Sequence, residues 1–157
     1  MQTSFGQDFG FSIDSTTLVE VAIDKTKRKI YIKEHLYKPK LTTSEIAQIN
    51  KRVCAKSLIV ADSAEPRLIA ELQSQGCNII ATAKGAGSIT AGLALMQDYE
   101  LIIESNSQNI GKELNNYIYS DKKSGLVVDN FNHAIDAIRY NVFYQLSNPN
   151  SGKYFVY

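Results

Sequence analysis

Three β-rich segments in succession, followed by alternating helical and strand-like segments, constrain the fold of this 157-residue chain more than any other feature. The three segments are Thr3–Asp8, Thr16–Asp24 and Lys29–Tyr37, and short polar connections join them. Short connections predict antiparallel neighbours, whereas helix–strand alternation predicts parallel strands joined by crossovers. The order therefore predicts an α/β domain with a mixed sheet of about five main strands and helices on both faces.

Local signals mark the elements of the remaining chain. Thr42 and Glu45 form a capping box for the first helix, which should end near Cys54. Pro66 suits the first turn of the second helix, and Gly76 suits its end. The further predicted elements are strands Leu58–Ala61, Asn78–Ala81 and Glu100–Ile103, helices Ser88–Gln97, Ser107–Tyr117 and Asn132–Leu146, and a hairpin over 116–130 whose strands are Tyr117–Tyr119 and Leu126–Val128. On the third strand we expect Ile30, Ile32 and Leu36 to share one face.

Two of the predicted strands end on an acid. Asp8 closes the first strand, and Asp62 follows the apolar run Leu58–Ala61. A right-handed crossover through the intervening helix would make these strands parallel. If they are neighbours, their carboxyl ends lie at one edge of the sheet, about 4.8 Å apart. Because carboxylates that close repel each other unless a cation intervenes, the pair predicts a divalent cation site.

The last predicted helix offers a third acid for the same site. His133, Asp136 and Tyr140 are spaced i, i+3 and i+7, so they share a polar face beside an apolar stripe. A histidine and an acid one turn apart can serve one site, and we expect both to point toward the strand ends.

In this order and at this spacing, four segments resemble the C-terminal nuclease domain of the large terminase subunit of tailed bacteriophages, which has a ribonuclease H-like fold. The resemblance covers the chain from about residue 3 to residue 143. The segments that carry it are Phe5–Phe11 with Asp14–Thr16, Ile59–Arg67, Lys84–Ile89 and Phe131–Tyr140.

The resemblance implies a metal-dependent endonuclease that cuts concatemeric viral double-stranded DNA during genome packaging, in the cytoplasm of an infected or lysogenic bacterium. It implies that Asp8 bridges two divalent cations, Mg²⁺ or Mn²⁺, while Asp62 holds one ion and Asp136 the other. His133 would be a further ligand, or would orient the attacking water or Asp136. The implied partners in the full protein are a packaging ATPase domain, the small terminase subunit and the procapsid portal.

Two other stretches are candidates for DNA contact. Lys84, Gly85 and Gly87 would present backbone amides and an ammonium group to a phosphate, although a plain strand-to-helix loop explains them equally well. Lys122 and Lys123 would gate DNA if the hairpin over 117–128 lies above the cleft, but a charged turn needs no function. Since no base-reading element is evident, we expect low sequence specificity.

Several residues near these motifs have ordinary explanations. Asp14 is expected to be a turn or cap residue, and Asp129 is either a fourth acid of the site or a polar hairpin end. Cys54 and Cys77 are expected to be small core residues with free thiols, because they are far apart and form no CxxC pair.

Length and composition set the remaining expectations. The length suits one domain over residues 1–157, with 148–157 as a flexible tail. Nothing matches the phosphate loop of an ATPase, so we expect that domain to lie outside this sequence. No apolar run approaches the roughly 20 residues that span a bilayer, and no membrane partner is expected. The formal net charge of +1 does not by itself indicate DNA binding.

Three alternatives to the packaging nuclease remain open at this point. One is another ribonuclease H-like nuclease of the junction-resolvase type. Another is half of a sugar kinase or actin-like ATPase, because Asp8–Gly10 with Ser15 and Thr16 faintly echoes a phosphate-binding turn. The third is a module that docks DNA or the portal and has weak cutting activity.

Overall fold

A six-stranded mixed sheet forms the centre of the computed structural model, which describes residues 1, 3–82, 88–124 and 132–147, with the backbone alone at 88–90 and 117–124. Its elements in chain order are β1 (Thr3–Asp8), β2 (Thr16–Asp24), β3 (Lys29–Lys38), α1 (Thr43–Cys54), β4 (Ile59–Ala61), α2 (Pro66–Ser74), β5 (Ile79–Ala81), α3 (Ser88–Gln97), β6 (Glu100–Ile103), α4 (Gln108–Ser124) and α5 (His133–Ser147). Across the sheet the order is β5-β4-β1-β2-β3-β6.

The pairing of the strands confirms the predicted mixed α/β class. β1, β2 and β3 are antiparallel neighbours, whereas β4 pairs with β1 in parallel. β5 and β6 then add parallel edge strands beside β4 and β3. β1 is thus a central strand, and its carboxyl end meets that of β4 at the same edge.

Two apolar clusters cover opposite faces of the sheet. The first joins α1 and α2 to β1, β4 and β5, with Ile46, Leu72 and Ile59 among its buried side chains. The second joins α3, α4 and α5 to β2 and β3, with Met96, Ile110 and Ile138 among its members. Helices on both faces were predicted, because the helices alternate with parallel strands.

The helix-start signals act as predicted. The Thr42 side chain accepts a hydrogen bond from the Glu45 amide at 3.2 Å, and the Glu45 carboxylate accepts one from the Thr42 amide at 3.3 Å. Pro66 opens α2, and Gly76, with a φ of 100°, follows its end. These contacts lie within a few residues along the chain, which is why the sequence reveals them.

A β-bulge corrects one prediction about the third strand. The register of β2 with β3 shifts between Leu18 and Val19, so that Leu18 lies opposite Leu36 but Val19 lies opposite Glu34. An extra residue reverses the side-chain alternation beyond it. Ile30 and Ile32 therefore belong to the α5 side of the sheet, whereas Leu36 packs against the first cluster on the other side.

The predicted hairpin over 116–130 is wrong in its first half. α4 continues through residues 117–124, where a strand and a turn were expected. Tyr117–Tyr119 favours strand locally, but no glycine or proline interrupts the chain between Gly111 and Gly125, and extending a formed helix costs little. The second predicted strand, Leu126–Val128, lies outside the described residues.

Candidate active site

Side-chain alternation along β1 directs three residues toward α5. The Ser4 hydroxyl accepts a hydrogen bond from the Asn141 side chain at 2.8 Å. A Cβ built on Gly6 would lie 1.9 Å from the Ala137 carbonyl oxygen, so glycine lets the helix pack directly on the strand. Two residues further on, Asp8 lies beneath the first turns of α5. The close packing at Gly6 thus sets the height of the helix above the acid.

The register between β1 and β4 brings the two strand-end acids together. Gln7 lies opposite Ala61 in the parallel pair. Asp8 and Asp62 are the next residues on their strands, so their backbones are about 4.8 Å apart. The charge of Asp62 acts on Asp8, although the Asp62 carboxylate accepts a hydrogen bond from the Ala64 amide at 2.9 Å.

Asp8 is buried and is contacted through both carboxylate oxygens. One oxygen lies 3.5 Å from Nδ1 of His133, and the other accepts a hydrogen bond from the Tyr140 hydroxyl at 3.3 Å. Burial raises the pKa of Asp8, His133 opposes that rise, and the charge of Asp62 adds to it. A positive charge beside Asp8 would therefore be stabilised.

His133 lies between two carboxylates. Its Nε2 atom is 3.6 Å from Asp14, while its other nitrogen is the one that faces Asp8. The Thr17 hydroxyl donates a hydrogen bond to the His133 carbonyl at 3.1 Å, and the ring meets that of Tyr37 edge-on at 6.4 Å. The hydrogen bond with Asp8 raises the pKa of His133, although burial opposes it. Asp14, expected to be a turn residue, is thus also an orienting partner of His133.

Asp136 lies one turn beyond His133 and is paired with Arg139. Nη2 of Arg139 lies 3.2 Å from the Asp136 carboxylate, and its guanidinium lies 4.8 Å from the centre of the Tyr140 ring. A Cβ on Gly92 of α3 would lie 2.6 Å from the Arg139 side chain, so α3 packs tightly along it. Burial and the charge of Asp8 raise the pKa of Asp136 to about 6, against the opposing effect of Arg139.

Glu113 is a site-supporting residue that the sequence analysis missed. Its side chain is fully buried on α4, and its two oxygens accept hydrogen bonds from the amides of Ala134 and Ile135 at 3.0 and 2.9 Å. Burial and the neighbouring Glu113 raise the pKa of Tyr37. An anion at the start of α5 satisfies amides that have no partner within the helix. An acid beside the apolar positions Ile110 and Leu114 was the available signal.

The structure therefore brings Asp8, Asp62, Asp136 and His133 to one edge of the sheet, with the first acid in electrostatic contact with the other three. As the side chains stand, no three His, Cys, Asp or Glu residues in the described ranges converge on one point to hold a metal ion. The cavity lined by Glu20, Tyr31, Ile102 and others is elsewhere on the sheet and includes none of these residues.

The predicted DNA contacts stay predictions. Lys84, Gly85 and Gly87 lie outside the described residues, as do Asp129 and the tail 148–157. Lys122 and Lys123 belong to the last turns of α4, where the structure describes the backbone alone. None of the helices in the described part of the chain has the length and apolar character to cross a membrane.

Sequence comparison finds matches along most of the chain. Residues 8–143 match the terminase RNase H-like domain. The PBSX phage terminase large subunit of Bacillus subtilis is 31% identical over 141 residues, which are 86% of this chain and 33% of that protein. The large terminase subunit of Bacillus phage SPP1 is 33% identical over 144 residues, covering 86% of this chain and 34% of that protein. The chain spans about a third of the length of these curated relatives.

Solved structures show the same fold. The nuclease domain of the SPP1 large terminase, crystallised with bound Mn, superposes with a TM-score of 0.79 at 30% identity, covering 92% of this chain and 86% of that one. The nuclease domain of the P22 large terminase has a TM-score of 0.72 at 16% identity, covering 92% of this chain and 80% of that one. The second likeness concerns the fold alone.

Proposed function

Because the chain belongs to the family of terminase RNase H-like domains, we propose that it is a divalent-metal-dependent endonuclease that cuts concatemeric viral double-stranded DNA during genome packaging. The observation that carries the proposal is the parallel pairing of β1 with β4, which sets Asp8 beside Asp62 under the first turns of α5. Cutting would take place in the cytoplasm of the bacterial host, in concert with a packaging ATPase domain, the small terminase subunit and the portal.

The donor set fits hard divalent cations. Carboxylate oxygens are the ligands that Mg²⁺ and Mn²⁺ prefer. Burial raises the pKa of Asp8, and His133 opposes that rise only in part, so the negative charge of Asp8 is incompletely compensated without a cation. We propose that Asp8 bridges two ions, that Asp62 holds one and that Asp136 holds the other. The Ala64 amide and Arg139 each contact one oxygen of Asp62 and of Asp136, so the second oxygen of each acid would be the one that takes an ion.

Two such ions would activate a water and stabilise the leaving oxygen of the phosphodiester. The reaction adds water across the P–O3′ bond, which leaves a 5′ phosphate and a 3′ hydroxyl. Tyr140 and His133 keep the Asp8 carboxylate in one orientation, since each contacts a different oxygen. Asp14 lies 3.6 Å from the other ring nitrogen of His133, and the Thr17 hydroxyl fixes its backbone carbonyl, so His133 is supported at both its ring and its backbone.

Plasmid cleavage tests this proposal. We expect nicking and linearisation with Mn²⁺ or Mg²⁺, none with chelator, and a loss of about 100-fold or more in Asp62→Asn, which removes a charged metal ligand. Asp98→Asn makes the same change at an exposed position outside the site and should cut like the wild type.

The proposal would be contradicted by cleavage that persists in chelator or in Asp62→Asn. If the protein neither cuts DNA nor binds Mn²⁺ in calorimetry, the three-acid metal site is also contradicted, and a docking module is favoured. If Mn²⁺ binds but DNA stays intact, the metal site stands, and capture of the DNA depends on the other parts of the packaging complex.

A further inference from the structure

The end of β3 lies at the same edge of the sheet as the acidic site. Asp8 pairs with Thr17, and Thr17 pairs with Tyr37 on the next strand. The backbone of Lys38, one residue further, is therefore two strands from that of Asp8, or about 10 Å across the sheet, at the same end of the strands. The edge that carries the acids thus continues into a basic end of β3.

The loop between β1 and β2 is tied to this end of β3. The Lys40 amide donates a hydrogen bond to the Phe11 carbonyl at 3.2 Å. The Gly10 amide and carbonyl both bond to the Thr16 hydroxyl, at 3.1 Å each. A Cβ on Gly10 would lie 2.1 Å from the Asp14 carbonyl oxygen, so the loop closes tightly on itself. These contacts hold the loop in one place between Asp8 and β3.

Two large apolar side chains project from this loop into solvent. Phe11 is 60% exposed and Ile13 is 88% exposed. Lys38 and Lys40 beside them are also exposed, and neither ammonium forms an ion pair within residues 1, 3–82, 88–124 and 132–147. The acid of the loop, Asp14, is paired with His133. The outward face of this surface therefore combines unpaired positive charge with apolar groups.

We propose that Phe11, Ile13, Lys38 and Lys40 form a surface, here termed the β3-side surface, that holds the DNA backbone next to the cleavage site. This inference rests on the proposed function. Along duplex DNA each strand carries a phosphate per 3.4 Å of axis, so 10 Å corresponds to about three base pairs from the cut. The two ammonium groups bind phosphates there, and the apolar pair packs on sugar faces and groove edges between them.

The occupant is DNA rather than a protein partner because of charge. Both cations lack an acidic partner within the described residues, and a polyanion whose scissile phosphate lies at Asp8 would meet both of them where it extends along this edge toward β3. The whole chain has a net charge of only +1, so the position of its lysines matters more for DNA binding than their number.

Salt-dependent DNA binding provides the first test. The full chain is titrated into a fluorescein-labelled DNA duplex in EDTA, so that nothing is cut, and anisotropy is followed from 50 to 200 mM KCl. Each phosphate contact contributes about 0.9 to the slope of log Kobs against log[KCl]. We expect the double variant Lys38→Ala with Lys40→Ala to reduce the magnitude of that negative slope by about 1.8. It should also weaken binding at 100 mM KCl by tenfold or more.

A matched pair of lysines serves as the control. Lys25 and Lys27 are exposed in the turn between β2 and β3, at the opposite end of the strands, and their replacement by alanine changes the charge equally. This control should keep the wild-type slope. Replacing Phe11 and Ile13 by serine should weaken binding severalfold and leave the slope unchanged, since no charge is lost.

Three results would overturn the inference: a Lys38/Lys40 variant that behaves like the Lys25/Lys27 control, an unchanged affinity in both β3-side variants, or no binding by the wild type at 50 mM KCl. Any of these results would mean that the β3-side surface does not bind DNA, and a protein would then be its expected partner. Plasmid cleavage with Mn²⁺ separates this failure from failure of the nuclease itself. If the wild type cuts, the Lys38/Lys40 variant should raise KM for DNA and keep kcat, whereas a wild type that neither cuts nor binds Mn²⁺ contradicts the nuclease.

Discussion

Asp136 is a carboxylate whose charge is unfavourable in the metal-free protein. Its pKa rises from the ordinary value of 3.8 to about 6, because it is buried and lies near the charge of Asp8, and Arg139 offsets this only in part. Between these two values the folded state binds the proton more tightly than the unfolded state does. The contribution of Asp136 to the free energy of unfolding should therefore fall as the pH rises from about 4 to 6, and stay lower above that.

The variant Asp136→Asn removes this charge and leaves an oxygen for Arg139. In chelator at pH 7.5, we expect it to be more stable than the wild type by about 1–2 kcal/mol, or roughly 2–8 °C in Tm, with the difference vanishing near pH 4. Thermal unfolding followed by circular dichroism at both pH values measures this. Asp98→Asn is the control and should have the same Tm as the wild type at both pH values. A lower Tm for Asp136→Asn at pH 7.5 would contradict the charge argument.

At the scale of the element, α5 carries His133 and Asp136 on its first turns, so the placement of that helix decides the geometry of the site. Gly6 sets its distance from β1, and the buried Glu113 satisfies two amides at its start. Because the helix is anchored from α4, a residue that never touches the site still determines where its side chains lie.

Replacing Glu113 should therefore cost both stability and activity. We expect Glu113→Ala to lose roughly 2–4 kcal/mol, because it leaves two buried amides unsatisfied, whereas Glu113→Gln keeps one acceptor and loses about 1–2 kcal/mol. Urea unfolding measures this, and plasmid cleavage under conditions where all variants are folded should fall in the same order. Glu45→Ala removes the capping carboxylate of α1, on the other face, and should leave cleavage unchanged. Full cleavage by Glu113→Gln would show that the site does not depend on this cap.

At the scale of the whole molecule, the sheet separates two apolar cores. The site lies at the carboxyl ends of β1 and β4, on the face of the sheet that α5 covers. The core beneath α1 and α2 contains both thiols, since Cys54 is 3% exposed and Cys77 is 7% exposed. Both cysteines are free, as the sequence predicts. Burial raises the pKa of Cys54 to about 12, and it raises that of Cys77 as well.

These thiols should report the opening of that core. Because the thiolate is the reactive form, we expect the folded protein at pH 8 to resist DTNB, and both thiols to react at once in urea. Ser44→Cys places a thiol at an exposed position of α1 and should react immediately in the folded state. Rapid labelling of either native cysteine would mean that the α1–α2 side opens without global unfolding.

Much of the fold follows from signals that act over a few residues. The capping box of α1, the proline and glycine that bound α2, and the three-strand meander need only neighbouring residues, and each is found where the sequence predicts it. The parallel direction of β1 and β4 also follows from the right-handed crossover, whereas their direct pairing, which brings Asp8 beside Asp62, was a condition that the structure meets. The face of α5 that carries His133 and Asp136 follows from helical periodicity.

What the sequence alone determined is therefore which elements form, which residues end them, and that the acids of β1, β4 and α5 share an edge. Tertiary structure decided the rest: the continuation of α4 past Tyr117, the bulge that moves Leu36 to the other face, and the cap that Glu113 makes on α5. It also decided that Arg139 pairs with Asp136. Local signals act over a single turn or strand. These features depend instead on packing between residues that are distant in sequence, or on weak local propensities that the surrounding fold overrides.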